Sequence, residues 1–277
     1  MIYQEVLRHG VQRLTTAGIA DAQTDAWLLL EFVTGIDRAH YFLRQKEECP
    51  ADAAEEYRKL LEKRTSHVPL QHLTGVQEFM GYPFSVNEHV LIPRQDTELL
   101  VLEALKRIKE KDRVLDMCTG SGCIIISLAQ KSAGEYFAAA DISGDALKVA
   151  RKNAMDLQTQ VWFTQSDLFE NIDGLFDVIV SNPPYIRSKE ISGLMPEVRE
   201  FEPHLALDGR EDGLWFYREI IRQAETHLQK AGWLLFEIGF SQGADVSALM
   251  KTAGYTEIEI KKDLAGLDRV VCGRRPA

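Results

Sequence analysis

Apolar positions recur along this chain with two different periods, and the change of period divides it. In the first part they fall at helical spacing. Ile2, Val6, Leu7, Val11 and Leu14 share one face, and Gly18 closes that run. Asp21 can cap a second helix through Ala26, Trp27, Leu29, Leu30 and Val33, which Gly35 stops. A third short helix over 38–44 and a fourth over 51–64, after Pro50, make a small helical domain expected to span 1–66. Between His67 and Pro93 the pattern shifts. Thr74 to Phe79 and Phe84 to Val86 flank Met80-Gly81-Tyr82-Pro83, which predicts a β-hairpin linker over 67–93.

From 94 to 277 strand and helix patterns alternate. Candidate strands lie at 113–117, 136–141, 161–165, 176–181, 233–238, 256–261 and 269–272, with helices such as 122–130, 145–155 and 214–228 between them. This alternation predicts an α/β domain, with a mostly parallel sheet covered on both faces. Too few residues join the last two strands for a crossover helix, so they are expected to pair antiparallel.

Composition narrows the classes. A chain of 277 residues, 45% hydrophobic and 27% charged, can bury a full core as one large and one small domain. Its net charge of −10 argues against a phosphate-gripping surface, and residues 1–75 carry 9 Lys and Arg against 11 Asp and Glu. Nucleic acid is therefore not the expected partner. Cys49, Cys118, Cys123 and Cys272 form no metal-ligand spacing, so no metal is expected. The N-terminal stretch is charged throughout, and no apolar run approaches the ~20 residues of a membrane span. A reducing cytoplasm is expected, with no disulfide between Cys118 and Cys123.

The chemistry begins at Val114-Leu115-Asp116-Met117-Cys118-Thr119-Gly120-Ser121-Gly122, an apolar strand entering a glycine-rich turn before a helix. Glycine lets the backbone approach a ligand, and ligands collect at strand carboxyl ends in open α/β sheets. Asp141 ends the next strand, where a carboxylate can accept both hydroxyls of a ribose. The dinucleotide fingerprint would need glycine where Ile125 stands, and Asp116 suits an ammonium-bearing ligand such as S-adenosylmethionine better than pyrophosphate. A tight turn without a ligand is the plainer alternative. Asp167 ends a third strand and could accept from an adenine amino group, with Leu168 or Phe169 against the ring; a helix cap is its ordinary role.

Asp177-Val178-Ile179-Val180-Ser181-Asn182-Pro183-Pro184-Tyr185-Ile186 is the most informative stretch. A buried strand reaches the ligand edge and delivers Asn, two prolines and an aromatic. Pro183 holds Asn182 extended, the second proline stiffens the segment beyond it, and neither proline carries an N–H. Asn182 Oδ1 and the Pro183 carbonyl can then accept both N–H bonds of a planar –NH2 group, with Tyr185 over one face. A proline-rich turn after a strand is the bland alternative.

Together these residues resemble the HemK/PrmC protein-(glutamine-N5) methyltransferases. The resemblance rests on Ile92-Pro93-Arg94-Gln95-Asp96-Thr97-Glu98, the 116–122 loop, Asp141-Ile142-Ser143, Ser166-Asp167-Leu168-Phe169, Ser181 to Ile186, Glu202-Pro203-His204-Leu205-Ala206-Leu207 and Glu237-Ile238-Gly239. It implies a seven-stranded Rossmann-like methyltransferase domain over 94–277, with a small N-terminal helical substrate-recognition domain and the hairpin linker. It further implies that Cys118, Thr119, Gly120, Ser121, Gly122, Asp141, Asp167, Leu168 and Asn182 contact S-adenosylmethionine. Asn182, Pro183, Pro184 and Tyr185 would hold the amide, with Arg94, Thr97 and Glu98 lining the site. The implied substrate is the glutamine of the Gly-Gly-Gln motif of class 1 peptide-chain release factors. Cys118 departs from the glycine usual at that place, and Leu168 from a frequent tryptophan. A ribosomal-protein glutamine methyltransferase, a nucleic acid adenine-N6 methyltransferase and a non-enzymatic S-adenosylmethionine sensor remain the rival expectations.

Overall fold

The computed structural model describes residues 1–277. The chain forms two compact units, one of Met1–Gly75 with Met195–Phe201, the other of Val76–Leu194 with Glu202–Ala277. In the first, α1 (Tyr3–Thr16), α2 (Ala22–Thr34), α3 (Arg38–Arg44) and α4 (Ala51–Thr65) follow the expected periodicity, and a short α5 (Leu70–Thr74) is added. Their apolar faces close on Leu14, Trp27, Leu29, Leu30, Tyr57 and Leu61. Gly10 of α1 is required there, since a Cβ would lie 2.0 Å from the Tyr57 hydroxyl oxygen. That hydroxyl donates to the Ala26 carbonyl at 3.0 Å, so the one polar atom of this ring is satisfied. Arg64 lies buried and pairs with Asp25 at 2.7 Å and Glu197 at 3.1 Å; Glu197 also meets His67 at 2.9 Å. The charges of Arg64 and Glu197 explain why 195–201 belongs to this unit, a long-range pairing that no local pattern announces.

The second unit opens with the hairpin β1 (Val76–Phe79) and β2 (Tyr82–Ser85), antiparallel as expected. Next come α6 (Glu98–Leu105), β3 (Arg113–Met117), α7 (Cys123–Lys131), β4 (Tyr136–Asp141), α8 (Gly144–Asp156), β5 (Trp162–Gln165) and β6 (Phe176–Ser181). Beyond α9 (Pro196–Phe201), which belongs to the first unit, come α10 (Trp215–Ala224), β7 (Leu228–Glu237), α11 (Gly243–Thr252), β8 (Thr256–Lys262) and β9 (Asp268–Arg274). The seven-stranded sheet has the order β5-β4-β3-β6-β7-β9-β8. Strands β3 to β7 run parallel, and β9 lies antiparallel between β7 and β8. β7 begins five residues before the expected 233, because Leu228 already pairs with Phe176 and a register shift with Ala231 at φ 60° absorbs the polar stretch between.

Side-chain alternation sorts each strand onto two cores. Leu115, Ile179, Leu234 and Phe236 face α10 and α11; Val114, Val178, Val180 and Leu235 face α6 and α7 together with Phe79 and Phe84 of the hairpin. Successive strands leave β3 in opposite directions, β4 and β5 to one side, β6 and β7 to the other. A crevice at their carboxyl ends is the outcome.

Candidate active site

Beyond Met117 the chain turns through Cys118 (φ 64°), Thr119, Gly120 (φ 55°), Ser121 and Gly122 (φ 79°) into α7. Three left-handed residues within five give a turn sharp enough to lay backbone along a ligand. Cys118 keeps that conformation without being glycine, its side chain packing toward the core on the α10 side. The loop is braced from below by Asn153 of α8, whose Nδ2 donates to the Ser121 carbonyl at 2.9 Å and the Ser85 carbonyl at 3.0 Å. Its Oδ1 accepts the Ser85 N–H at 2.7 Å.

Two carboxylates hold the loop from the strands. Asp141 Oδ2 accepts the Gly120 N–H at 2.8 Å and Oδ1 accepts the Ser143 N–H at 2.9 Å. Burial raises its pKa, and those N–H groups oppose the rise. Asp116 is wholly buried; Oδ2 accepts the Thr119 hydroxyl at 2.6 Å and Oδ1 has no partner. Burial pushes its carboxyl up to about 7, against the Thr119 bond and reinforced by Asp141.

One cavity runs along these carboxyl ends. The loop residues Cys118, Thr119, Gly120 and Ser121 line it, with Asp141 and Ile142 after β4, Asp167 and Leu168 after β5, and Asn182 and Pro184 after β6. Arg94 and Thr97 close it from one side, Leu205, Ala206, Trp215 and Phe216 from another. The structure thus brings together most of the residues expected from sequence. Gly122 is the first exception: a Cβ there would sit 3.0 Å from Ile126 Cδ1 and 3.2 Å from Ala150 Cβ, so it packs α7 on α8 and does not line the cavity. Glu98 is the second, because its carboxylate accepts the Met80 N–H of the hairpin turn at 2.6 Å. No helix begins after Asp167, so it caps none; the turn there is held by Ser166 Oγ, which accepts the Asn171 N–H at 2.9 Å. Leu168 (φ 48°) lies on the cavity, whereas Phe169 is buried against His227 at 4.7 Å.

Asn182 emerges beside the loop because Ser181 Oγ donates to the Met117 carbonyl at 2.7 Å, locking the end of β6 to β3. Its Nδ2 points to Thr97 Oγ1 at 3.5 Å, which turns Oδ1 the other way. Pro183 is buried and is not among the residues lining the cavity, and no backbone N–H bonds to its carbonyl. Tyr185 is not on the cavity wall. Its hydroxyl approaches Glu237 Oε1 at 3.4 Å, and its carbonyl accepts from Gln242 Nε2 at 3.1 Å. Burial raises its pKa, reinforced by Glu237.

Three residues near the site escaped sequence-based assignment of a role. Glu202, buried, accepts from Arg94 Nη2 at 2.6 Å and from the Ile92 N–H at 3.2 Å. Glu237 is a buried carboxyl ending β7, and Gln242 bonds both Tyr185 and the Gly213 carbonyl. Glu237 had a usable signal, since it ends an apolar strand at the ligand edge as Asp141 does. No group of three or more His, Cys, Asp or Glu is placed to hold a metal.

A crevice at this switch point, in this strand order, is the arrangement of the methyltransferase fold. A solved methyltransferase from Pyrococcus furiosus shares the fold, at 15% identity and a TM-score of 0.57, over 78% of this chain and 100% of that one. Residues 5–75 match the PrmC N-terminal domain and residues 95–198 the methyltransferase small domain. The release factor glutamine methyltransferase of Geobacter sulfurreducens is 38% identical over 94% of this chain and 92% of its own. That of Agrobacterium fabrum is 39% identical over 95% and 94% respectively. The chain belongs to the release factor glutamine methyltransferase family.

Proposed function

We propose that this chain transfers the methyl group of S-adenosylmethionine to the side-chain amide nitrogen of a glutamine in a class 1 peptide-chain release factor. The observation that carries this reading is the placement of Asn182 and the glycine loop on one cavity, at the adjacent ends of β6 and β3.

The residues present fit the cofactor. Asp141 keeps a free lone pair on each oxygen after accepting its two N–H groups, enough for two ribose hydroxyls. Ile142 and Leu168 offer apolar walls for a purine, and Asp167 an acceptor at its edge. Beneath the loop, Asp116 Oδ1 has no hydrogen-bond partner, and a cation held above it would favour the ionised carboxylate. Bound there, S-adenosylmethionine supplies an electrophilic sulfonium methyl.

The chain's own residues prepare the nucleophile. An amide nitrogen has a delocalised lone pair and attacks poorly. Asn182 Oδ1, turned away from Thr97, accepts one N–H of the glutamine amide, and the Pro183 carbonyl, which no backbone N–H occupies, accepts the other. Both bonds strengthen as positive charge grows on nitrogen, so they favour the transition state over the ground state. The rigid Pro183-Pro184 pair fixes their direction, and holding the amide in line supplies several kcal/mol. The proton leaves after transfer, so no strong base is needed.

Recognising one glutamine in a folded protein needs contacts away from the amide. The helical unit exposes Phe32, Phe42 and Leu43, which suit a protein partner better than a phosphate backbone. A cytoplasmic substrate goes with this reading, and no helix is long and apolar enough to cross a membrane. Labelled methyl transfer to purified release factors, a ribosomal protein, DNA and RNA, run side by side, tests the proposal. Label is expected on the release factor; label on RNA, DNA or the ribosomal protein alone overturns it.

A further inference from the structure

The segment that carries the amide clamp leaves the sheet after Ser181 and has little backbone bonding of its own. Pro183 and Pro184 have no N–H to give, and no backbone N–H bonds to a carbonyl of 183–185. Its near end is fixed by Ser181 on the Met117 carbonyl. Its far end is fixed by a side chain. Gln242, 8% exposed at the start of α11, sets its amide between three stretches of backbone. Its Nε2 donates to the Tyr185 carbonyl at 3.1 Å and to the Gly213 carbonyl at 3.1 Å, and its Oε1 accepts the Gly239 N–H at 2.9 Å. Both amide hydrogens and the oxygen are thus engaged, and only one orientation serves: reversed, the oxygen would face two carbonyls and the –NH2 an N–H.

The same amide ties in a second segment, which runs along the clamp from Leu207 to Gly213. The Ile186 N–H donates to the Leu207 carbonyl at 3.0 Å, and the Gly209 N–H to the Ile186 carbonyl at 2.8 Å. Glycine permits this approach. A Cβ at 209 would lie 2.7 Å from Tyr185 Cα, and one at 213 would lie 2.5 Å from the Tyr185 carbonyl oxygen. This stretch and its flanks put Leu205, Ala206, Arg210, Trp215 and Phe216 on the cavity wall.

We propose that Gln242 is a positioning residue for methyl transfer: by donating to Tyr185 and Gly213 together, it fixes the far end of the Asn182–Tyr185 clamp against the segment that closes the cavity. This rests on the amide-clamp reading above. The coupling is mechanical. Both prolines hold their φ, and Pro184 keeps Pro183 extended, so few torsions remain to absorb a displacement of Tyr185 before it reaches the Pro183 carbonyl. A shift of about 1 Å in an aimed group can cost on the order of 10²-fold in rate.

The full-length protein, S-adenosylhomocysteine and a purified release factor test this. Gln242→Met keeps the bulk of the side chain and removes both donors. Its kcat per cofactor-binding site should fall by on the order of 10–100-fold, while the Kd for S-adenosylhomocysteine stays within about threefold, because the loop and Asp141 are held by other bonds. In the Asn182→Ala background the same change should cost less than about threefold further, since both act through one clamp. Hydrogen exchange at Ile186 and Gly209 should quicken in Gln242→Met, a readout that needs no methyl transfer. Unchanged exchange there, an unchanged kcat, or a fully multiplicative loss in the double variant overturns the proposal. Quickened exchange, in a protein whose wild type methylates no release factor, supports the bracing by Gln242 and overturns the functional reading instead. Should Gln242→Met not fold, Gln242→Glu decides, because it keeps the acceptor for Gly239 and, ionised, has no hydrogen for either carbonyl. An unchanged kcat in that variant overturns the proposal, and the same loss supports it.

Discussion

Cys118 holds a backbone conformation that side chains avoid. Its φ of 64° is left-handed, in a loop where Gly120 and Gly122 adopt the same region freely. An L-residue pays roughly 1–2 kcal/mol there. The comparison that isolates this cost is between two variants that both lose the thiol. Cys118→Gly should be more stable than Cys118→Ala by about 1 kcal/mol, measured by denaturant unfolding; equal stabilities would show that the loop relaxes around a Cβ. Burial raises the thiol's pKa, with Asp141 and Asp116 adding to the effect, so this cysteine is a packing group rather than a nucleophile. At this scale much of the cavity wall was legible in the sequence. Asp141 ends β4, while Asp167 and Asn182 follow the ends of β5 and β6, and strand ends in an α/β sheet share one edge. Gly122 and Glu98 were not, because a glycine needed for helix packing looks the same as one needed for a ligand, and a carboxylate three residues into a motif can turn either way. Only the Ile126 and Ala150 contacts, and the Met80 N–H, decide between them.

Elements are joined at the site by few side chains, and Asn153 is the densest junction. From α8 it bonds Ser121 of the loop and both backbone groups of Ser85 in β2, while only 1% exposed. Asn153→Ala should leave these groups buried and unmet, at a cost of about 3 kcal/mol. Hydrogen exchange at Ser85 and through 118–122 should accelerate in the variant, and a stability loss under about 0.5 kcal/mol would mean that water replaces the side chain at no cost. Strands β3, β4 and β6 were legible to the residue, since buried parallel strands read as apolar runs with polar ends. The position of β9 between β7 and β8 was not, because pairing order is a long-range property. α9 escaped for the same reason: the charges of Arg64 and Glu197 meet across 133 positions of sequence.

For the molecule as a whole, the buried carboxyls at the site act against the ion-paired carboxyls elsewhere in setting stability with pH. Asp116 and Glu237 both have pKa values raised by burial to about 7. A carboxyl raised in the folded state stays protonated there while the unfolded chain has already ionised. Its contribution is therefore full below the unfolded pKa near 4 and is lost as pH rises through about 7. Glu103 and Glu197, lowered against burial by their basic partners, work oppositely and weaken the fold only in acid. Asp116→Asn removes one of the raised groups. In the cofactor-free protein, the stability of this variant relative to wild type should climb between pH 4 and pH 8, by an amount on the order of a few kcal/mol. A constant difference across that range would show that Asp116 ionises normally.

The amide clamp is the centre of the account, and Asn182 is its most exposed member to test. Single-turnover methyl transfer to a release factor, at saturating S-adenosylmethionine, should fall by on the order of 10²–10³-fold in Asn182→Ala. Removing one acceptor aimed at the reacting nitrogen should have that effect while the fold, held by Ser181 and the prolines, persists. A chemical step in Asn182→Ala close to the wild-type rate would contradict the mechanism.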